Sequence, residues 1–196
     1  MMKVVITAIL ICVVQFAQAQ SSIITRFDGF RGSSPSYGFG VVRPEIEVWA
    51  LALPDYPDVE IGKLFPVKCR GNDTLLVGGY AVSWPNARQY FALPWGYYQN
   101  TSNGTTLSIQ LGSYVPLNGG PTVFFSDESS LVHSVGNGVS LGLATAFWHQ
   151  RGASNPMHFG PVLKAQLNRS ISLSARALVF GSKAPDNFRL ELTTTF

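Results

Sequence analysis

FRLELTTTF, Phe188 to Phe196, is the stretch on which the reading of this chain turns. Side chains alternate faces along an extended strand. Phe188, Leu190, Leu192 and Phe196 therefore fall on one face, and Arg189, Glu191, Thr193 and Thr195 on the other. One face is apolar and the other polar, and the run ends on an aromatic ring. Such a strand suits a boundary between an apolar medium and water.

The same rhythm continues upstream. Ser170 to Phe180 sets Ile171, Leu173, Ala175, Ala177 and Val179 against Ser172, Ser174 and Arg176. Phe159 to Leu167 sets Leu163, Ala165 and Leu167 against Lys164 and Gln166. Asn137 to His149 groups Val139, Leu141, Leu143 and Phe147, opposite the small set Ser140, Gly142, Ala144 and Ala146. Thr106 to Leu117 groups Leu107, Ile109, Leu111, Val115 and Leu117 opposite Ser108, Gln110, Gly112 and Tyr114. Turn residues separate the segments, among them Asn103-Gly104, Gly136-Asn137-Gly138 and Asn168-Arg169.

The N-terminal half is less regular. Candidate strands there are Ile23–Phe30, Glu45–Leu53, Val59–Val67, Leu75–Trp84 and Ala87–Tyr98, and Gly32 to Gly40 reads as a Gly/Ser/Pro/Tyr break. Thr122–Ser126 and Leu131–Val135 are possible short extras. Nine or ten segments result, and barrels in membranes usually have an even count. Pro44, Pro66, Pro94 and Pro161 lie in or beside these segments. Proline donates nothing to a ladder, so each must mark a strand start, a bulge or a bend; several in mid-strand would count against closure.

Residues 1–19 have the three parts of a secretory signal peptide. Lys3 is the basic part, Val4 to Phe16 the apolar run, and Ala17-Gln18-Ala19 the small-residue site, with cleavage before Gln20. The run is shorter than the roughly 20 residues of a spanning helix. A lipoprotein reading at Cys12 is discounted, because cleavage there would cut the apolar run. The rest has no helix-length apolar segment. It is thus a soluble exported protein or a membrane protein made of strands, since only helices and closed barrels satisfy every backbone group in lipid.

Composition favours the second. Charged residues make up 13 % of the chain, about half the usual share of roughly 25 % in soluble domains. The net charge of +3 is carried by scattered Lys and Arg, so no nucleic-acid partner is expected. Cys69 alone would remain after removal of the leader, which excludes an intrachain disulfide.

Phe188, Leu190, Leu192 and the terminal Phe196 resemble the final strand of bacterial outer-membrane β-barrel proteins. Thr194 departs from the apolar series, and the glycine frequent earlier in such strands is absent. The resemblance implies an outer-membrane location, lipid as neighbour, and recognition of these four residues by the barrel assembly machinery. The expectation is an all-β fold: one antiparallel transmembrane β-barrel over residues 20–196, of about 10 strands, with 8 to 12 open. Its expected role is non-enzymatic, as a narrow pore or a structural barrel whose loops bind something.

Two alternatives are a soluble secreted β-sandwich that binds ligands through aromatic residues and a barrel-embedded hydrolase. For the latter, His133-Ser134 is the one adjacent His/Ser pair, with Asp127-Glu128 upstream, but neighbours on a strand face opposite ways. His133, His149 and His158 lack metal-ligand spacing, and no motif calls for a cofactor. His149 and His158 are read as interfacial or loop residues. The aromatic crowd Tyr80, Trp84, Tyr90, Phe91, Trp95, Tyr97 and Tyr98 reads best as an interfacial girdle. Polar residues expected to face the lumen are Gln110, Lys164, Gln166, Arg176, Arg189 and Glu191, with Glu45 and Glu47 in the irregular half. They would line a charged pore wall or knit into a salt-bridge plug, the outcome favoured at 8 to 10 strands. Four Asn-x-Ser/Thr sequons, at Asn72, Asn100, Asn103 and Asn168, are read as turn chemistry.

Overall fold

The structure, a computed structural model, describes residues 21–30, 34–52, 57–67, 69, 71–153, 156–182 and 187–196. The expected signal peptide and its cleavage point lie outside these residues. Strands form wherever the alternation runs: β1 (Ser22–Phe30), β2 (Ser36–Val42), β3 (Glu47–Ala52), β4 (Pro57–Val67), β5 (Asp73–Trp84), β6 (Gln89–Ser102), β7 (Thr105–Pro116), β8 (Val123–Gly136), β9 (Val139–Gln150), β10 (Met157–Gln166), β11 (Ile171–Leu178), β12 (Phe180–Ser182) and β13 (Asn187–Thr195). Consecutive strands from β1 to β11 pair antiparallel, β11 pairs with β13, and β13 returns to β1. The sheet is a closed ring of twelve strands. β12 continues β11 past Val179 and stays on β10.

The count of twelve corrects the expected ten, and two elements account for the difference. β2 lies in the stretch read as a break. Its glycines sit inside the strand because β3 side chains occupy the space above them. A Cβ on Gly40 would stand 2.6 Å from the Trp49 ring, and one on Gly38 would stand 2.6 Å from Leu51. The sequence of β8 reads as two fragments, Thr122–Ser126 and Leu131–Val135. It is one strand with a bulge, where its register to β9 shifts between Ser126 and Ser129.

The turns follow local chemistry. Asn103-Gly104 and Asn137-Gly138 both take positive φ at both positions, 50° and 75° in the first and 50° and 73° in the second. That is the geometry of two-residue hairpins, whose twist matches the strands. Asn168 Oδ1 accepts from the backbone N–H groups of Ser170 and Ile171 at 2.8 and 2.9 Å. Asn100, read as a loop residue, is in β6, where its amide donates to Asp73 at 2.7 Å.

The prolines do not prevent closure. Pro44 lies in the turn after β2, and Pro66 is next to last in β4. Pro94 is within β6, where the ladder to β7 lapses between the pairs Ala92↔Val115 and Trp95↔Gly112 and then resumes in the same register. Pro161 is within β10, facing the join of β11 and β12. From Val162↔Arg176 to Phe159↔Phe180 the register spends three residues on one side and four on the other, a bulge that needs no N–H from Pro161.

β13 is the closing seam. Leu190 lies between Phe27 of β1 and Ala175 of β11, and Leu192 between Thr25 and Leu173. One set of apolar residues around the ring points outward. Leu107, Leu131 and Leu143 form one such row across β7, β8 and β9, all exposed. An exposed apolar band around a closed ring is the surface lipid contact requires.

The inside holds two buried clusters. One is Tyr80, Val82, Phe91, Leu93 and Phe125, with Trp49, Trp84, Trp95, Tyr114 and Trp148 packed against it. The other is Val132, Ala144, Ala146, Val162 and Leu178. Most of the aromatic crowd read as a girdle is therefore internal; Tyr90, by contrast, is exposed. Aromatic rings suit an interface and a core equally, so composition did not distinguish the two.

Candidate functional site

The lumen is the concave, polar part of the molecule, and pairs of strands build its wall. Arg26 and Asp28 alternate with Phe27 on β1, and Arg189 and Glu191 alternate with Leu190 on β13. Across the seam, Asp28 faces Arg189 and Arg26 faces Glu191. On the other side of β13, Arg189 faces Arg176 of β11.

A strand that is no neighbour of the seam completes the constellation. The bulge in β8 lets consecutive residues Asp127 and Glu128 both reach the lumen. Gln110 of β7, 1 % exposed, holds it in shape. Its side-chain oxygen accepts from the N–H of Asp127 at 2.7 Å and of Glu128 at 3.2 Å, and its own N–H donates to Ser129 Oγ at 3.0 Å. Gln110→Ala should lower stability by about 1–3 kcal/mol, the cost of leaving buried donors unmet. Urea unfolding in lipid vesicles measures it; an unchanged midpoint would show that water replaces the amide.

The result is a knot of ions across the barrel. Arg189 donates to Asp28 at 2.5 Å, Asp127 at 3.0 Å and Glu128 at 3.4 Å. Arg26 donates to Asp28 at 2.5 Å and to Asp127 at 3.4 Å, with Glu128 at 3.7 Å. Arg176 donates to the backbone oxygen of Asp127. Arg26 and Arg189 each meet the carboxylates of Asp28, Asp127 and Glu128, which offsets the cost of leaving water.

The knot divides the lumen into two cavities that share Trp95, Glu128 and Arg189 in their walls. The cavity toward the chain termini has about 590 Å³ and is lined by Lys164, Gln166, Arg176, Arg189 and Glu191 among others. Lys164 there donates to Ser130 Oγ at 3.1 Å. The cavity toward the opposite rim has about 500 Å³ and is lined by aromatic rings and carboxylates.

Of the residues named from sequence, Lys164, Gln166, Arg176, Arg189 and Glu191 line the first cavity and Gln110 lines the second. Glu47 also lines the second, whereas Glu45 is exposed in the turn before β3. The small set on β9 lies inside, with Ala144 and Ala146 buried. Arg26, Asp28, Asp58 and Glu60 were missed, although each pair alternates with an apolar residue at period two. Phe188, Leu190, Leu192 and Phe196 are all exposed on the outside.

His133, Ser134 and the acidic pair do not assemble. His133 Nδ1 is hydrogen-bonded to Thr105 Oγ1 at 2.9 Å near the β8–β9 hairpin, while Asp127 and Glu128 are bound into the knot. His158, read as a loop or interfacial residue, is a buried residue of β10.

No family model matches the chain, and no curated protein matches it. Solved structures do. A KdgM porin superposes with a TM-score of 0.66 at 9 % identity, over 89 % of this chain and 99 % of that one. A NanC porin gives 0.64 at 10 % identity, over 89 % and 100 %. The chain shares their fold. A second KdgM structure, described as a complex with disordered oligogalacturonate, matches equally well at a TM-score of 0.66 and 9 % identity, over 89 % and 99 %.

Proposed function

We infer that the protein is a narrow channel of a Gram-negative outer membrane, with lipid around the barrel and a small polar solute inside it. The observation that carries this reading is the pair of lumen cavities that meet at the ion knot, with Trp95, Glu128 and Arg189 in both walls. Twelve strands enclose more space than the roughly eight that side chains can fill, and less than the 16–18 of open porins. The six polar residues named from sequence act as lumen wall and constriction. Phe188, Leu190, Leu192 and Phe196 act as the signal for barrel assembly, and residues 1–19 as the export signal.

The soluble sandwich is disfavoured by ring closure and by the outward apolar band. Oligogalacturonate, named for the neighbour, is a polyanion and suits the second, carboxylate-rich cavity poorly.

Purified barrel in a planar bilayer should give discrete current steps. Their size should be well below that of a wide porin, because the ion knot crosses the path. A heat-modifiable, correctly folded barrel that never conducts would overturn the channel.

A further inference from the structure

We propose that the 500 Å³ cavity is a binding site for a small organic cation, an amine or quaternary ammonium solute. The inference deepens the channel reading and rests on it for the solute's route. Six carboxylates but only two guanidinium groups, those of Arg26 and Arg189, line this cavity. Both guanidiniums are spent on Asp28, Asp127 and Glu128 in the knot. The remaining three carboxylates, Glu47, Asp58 and Glu60, form no ion pair among the described residues.

Tyrosines hold two of these three. Tyr80 donates its hydroxyl to Glu47 at 2.5 Å, and Tyr114 donates to Glu60 at 3.0 Å. Asp58 and Glu60 lie two residues apart on β4 and so share its inner face. Asp58 is 1 % exposed and lies beside the Trp84 indole and within reach of the Arg26 charge, and its Oδ1 has no hydrogen-bond partner among the described residues. A buried carboxylate without a cation is costly, and a bound cation removes that cost.

The surrounding walls suit an organic ion. Trp49 is opposite Glu60 across the β3–β4 pair. Trp84 packs 5.9 Å from Tyr114, and Tyr80 is edge-on to Trp95 at 6.4 Å. Aromatic faces attract ammonium groups. Among the described residues no group of three or more His, Cys, Asp or Glu side chains is placed to hold a metal ion. The volume lies within the roughly 300–1,000 Å³ of small-molecule pockets.

The test is calorimetric titration of the folded barrel in detergent with choline chloride, glucose and sodium glucuronate in turn. Choline should bind saturably and better than either sugar. Asp58→Asn with Glu60→Gln should weaken it by about ten-fold or more. If that double variant does not fold, Glu47→Gln replaces it with the same expectation of weaker binding. Choline that does not saturate, glucose or glucuronate that binds as well, or folded variants with unchanged affinity would each overturn the site. Binding is read without current, so the two readings fail separately. Current without choline binding overturns this inference alone, and choline binding without current overturns the channel alone.

Discussion

Arg189→Ala is expected to lower stability by about 3–5 kcal/mol, the usual cost of removing one partner from a buried ion network, and to raise single-channel conductance. Arg189 is 6 % exposed and donates to three carboxylates, Asp28, Asp127 and Glu128. Without it Asp28, 2 % exposed, keeps only Arg26 among the described residues, and Asp127 and Glu128 repel each other across the bulge. The same side chain stands in the wall between the two cavities, so its loss also widens the passage. Reversible urea unfolding in vesicles measures the first effect and bilayer recording the second. Asp127→Ala added to Arg189→Ala should return part of the lost stability, since it removes a charge left without its guanidinium; coupling of this kind is expected for residues in contact. A loss below about 1 kcal/mol with unchanged conductance would mean that the knot is hydrated and does not form the constriction.

Leu143→Arg should cost about 2–4 kcal/mol, the price of a cation facing mid-bilayer lipid. Leu143 is 58 % exposed on the outer face of β9, level with Leu131 on one side and Pro161 on the other. It touches nothing in the lumen, so a soluble fold would tolerate the arginine within a few tenths of a kcal/mol, as exposed sites generally do. The measurement is again unfolding in vesicles, with the gel-mobility shift on heating as the check that the barrel has closed. A neutral result would place the apolar rows in water and remove the membrane from the account.

Much of the wall was legible because it obeys a period of two. Lys164, Arg176, Arg189 and Glu191 each sit between apolar neighbours, and alternation alone sends them to the polar face. The same signal was present for Arg26 with Asp28 and for Asp58 with Glu60, in segments whose rhythm is shorter. Two kinds of residue were not legible. Glycines in β2 imitate a turn, since the sequence does not show that Trp49 and Leu51 of the next strand need the space. Asp127 and Glu128 are adjacent, so simple alternation would send one of them outward, and only the bulge braced by Gln110 turns both inward.

By itself the sequence determined most of the strands, their apolar faces and the Asn-Gly hairpins, because each depends on residues close in the chain: alternation, Asn-Gly pairs, the seam strand Phe188 to Phe196. Closure decided the rest. The number of strands, the inward placement of most of the aromatic crowd and the partners of each charge depend on residues brought together from far apart, Asp28 with Arg189 across the seam and Asp127 with Arg26 across the lumen. A side chain's face is a local property; which charge it meets on that face is fixed by the circumference of the ring.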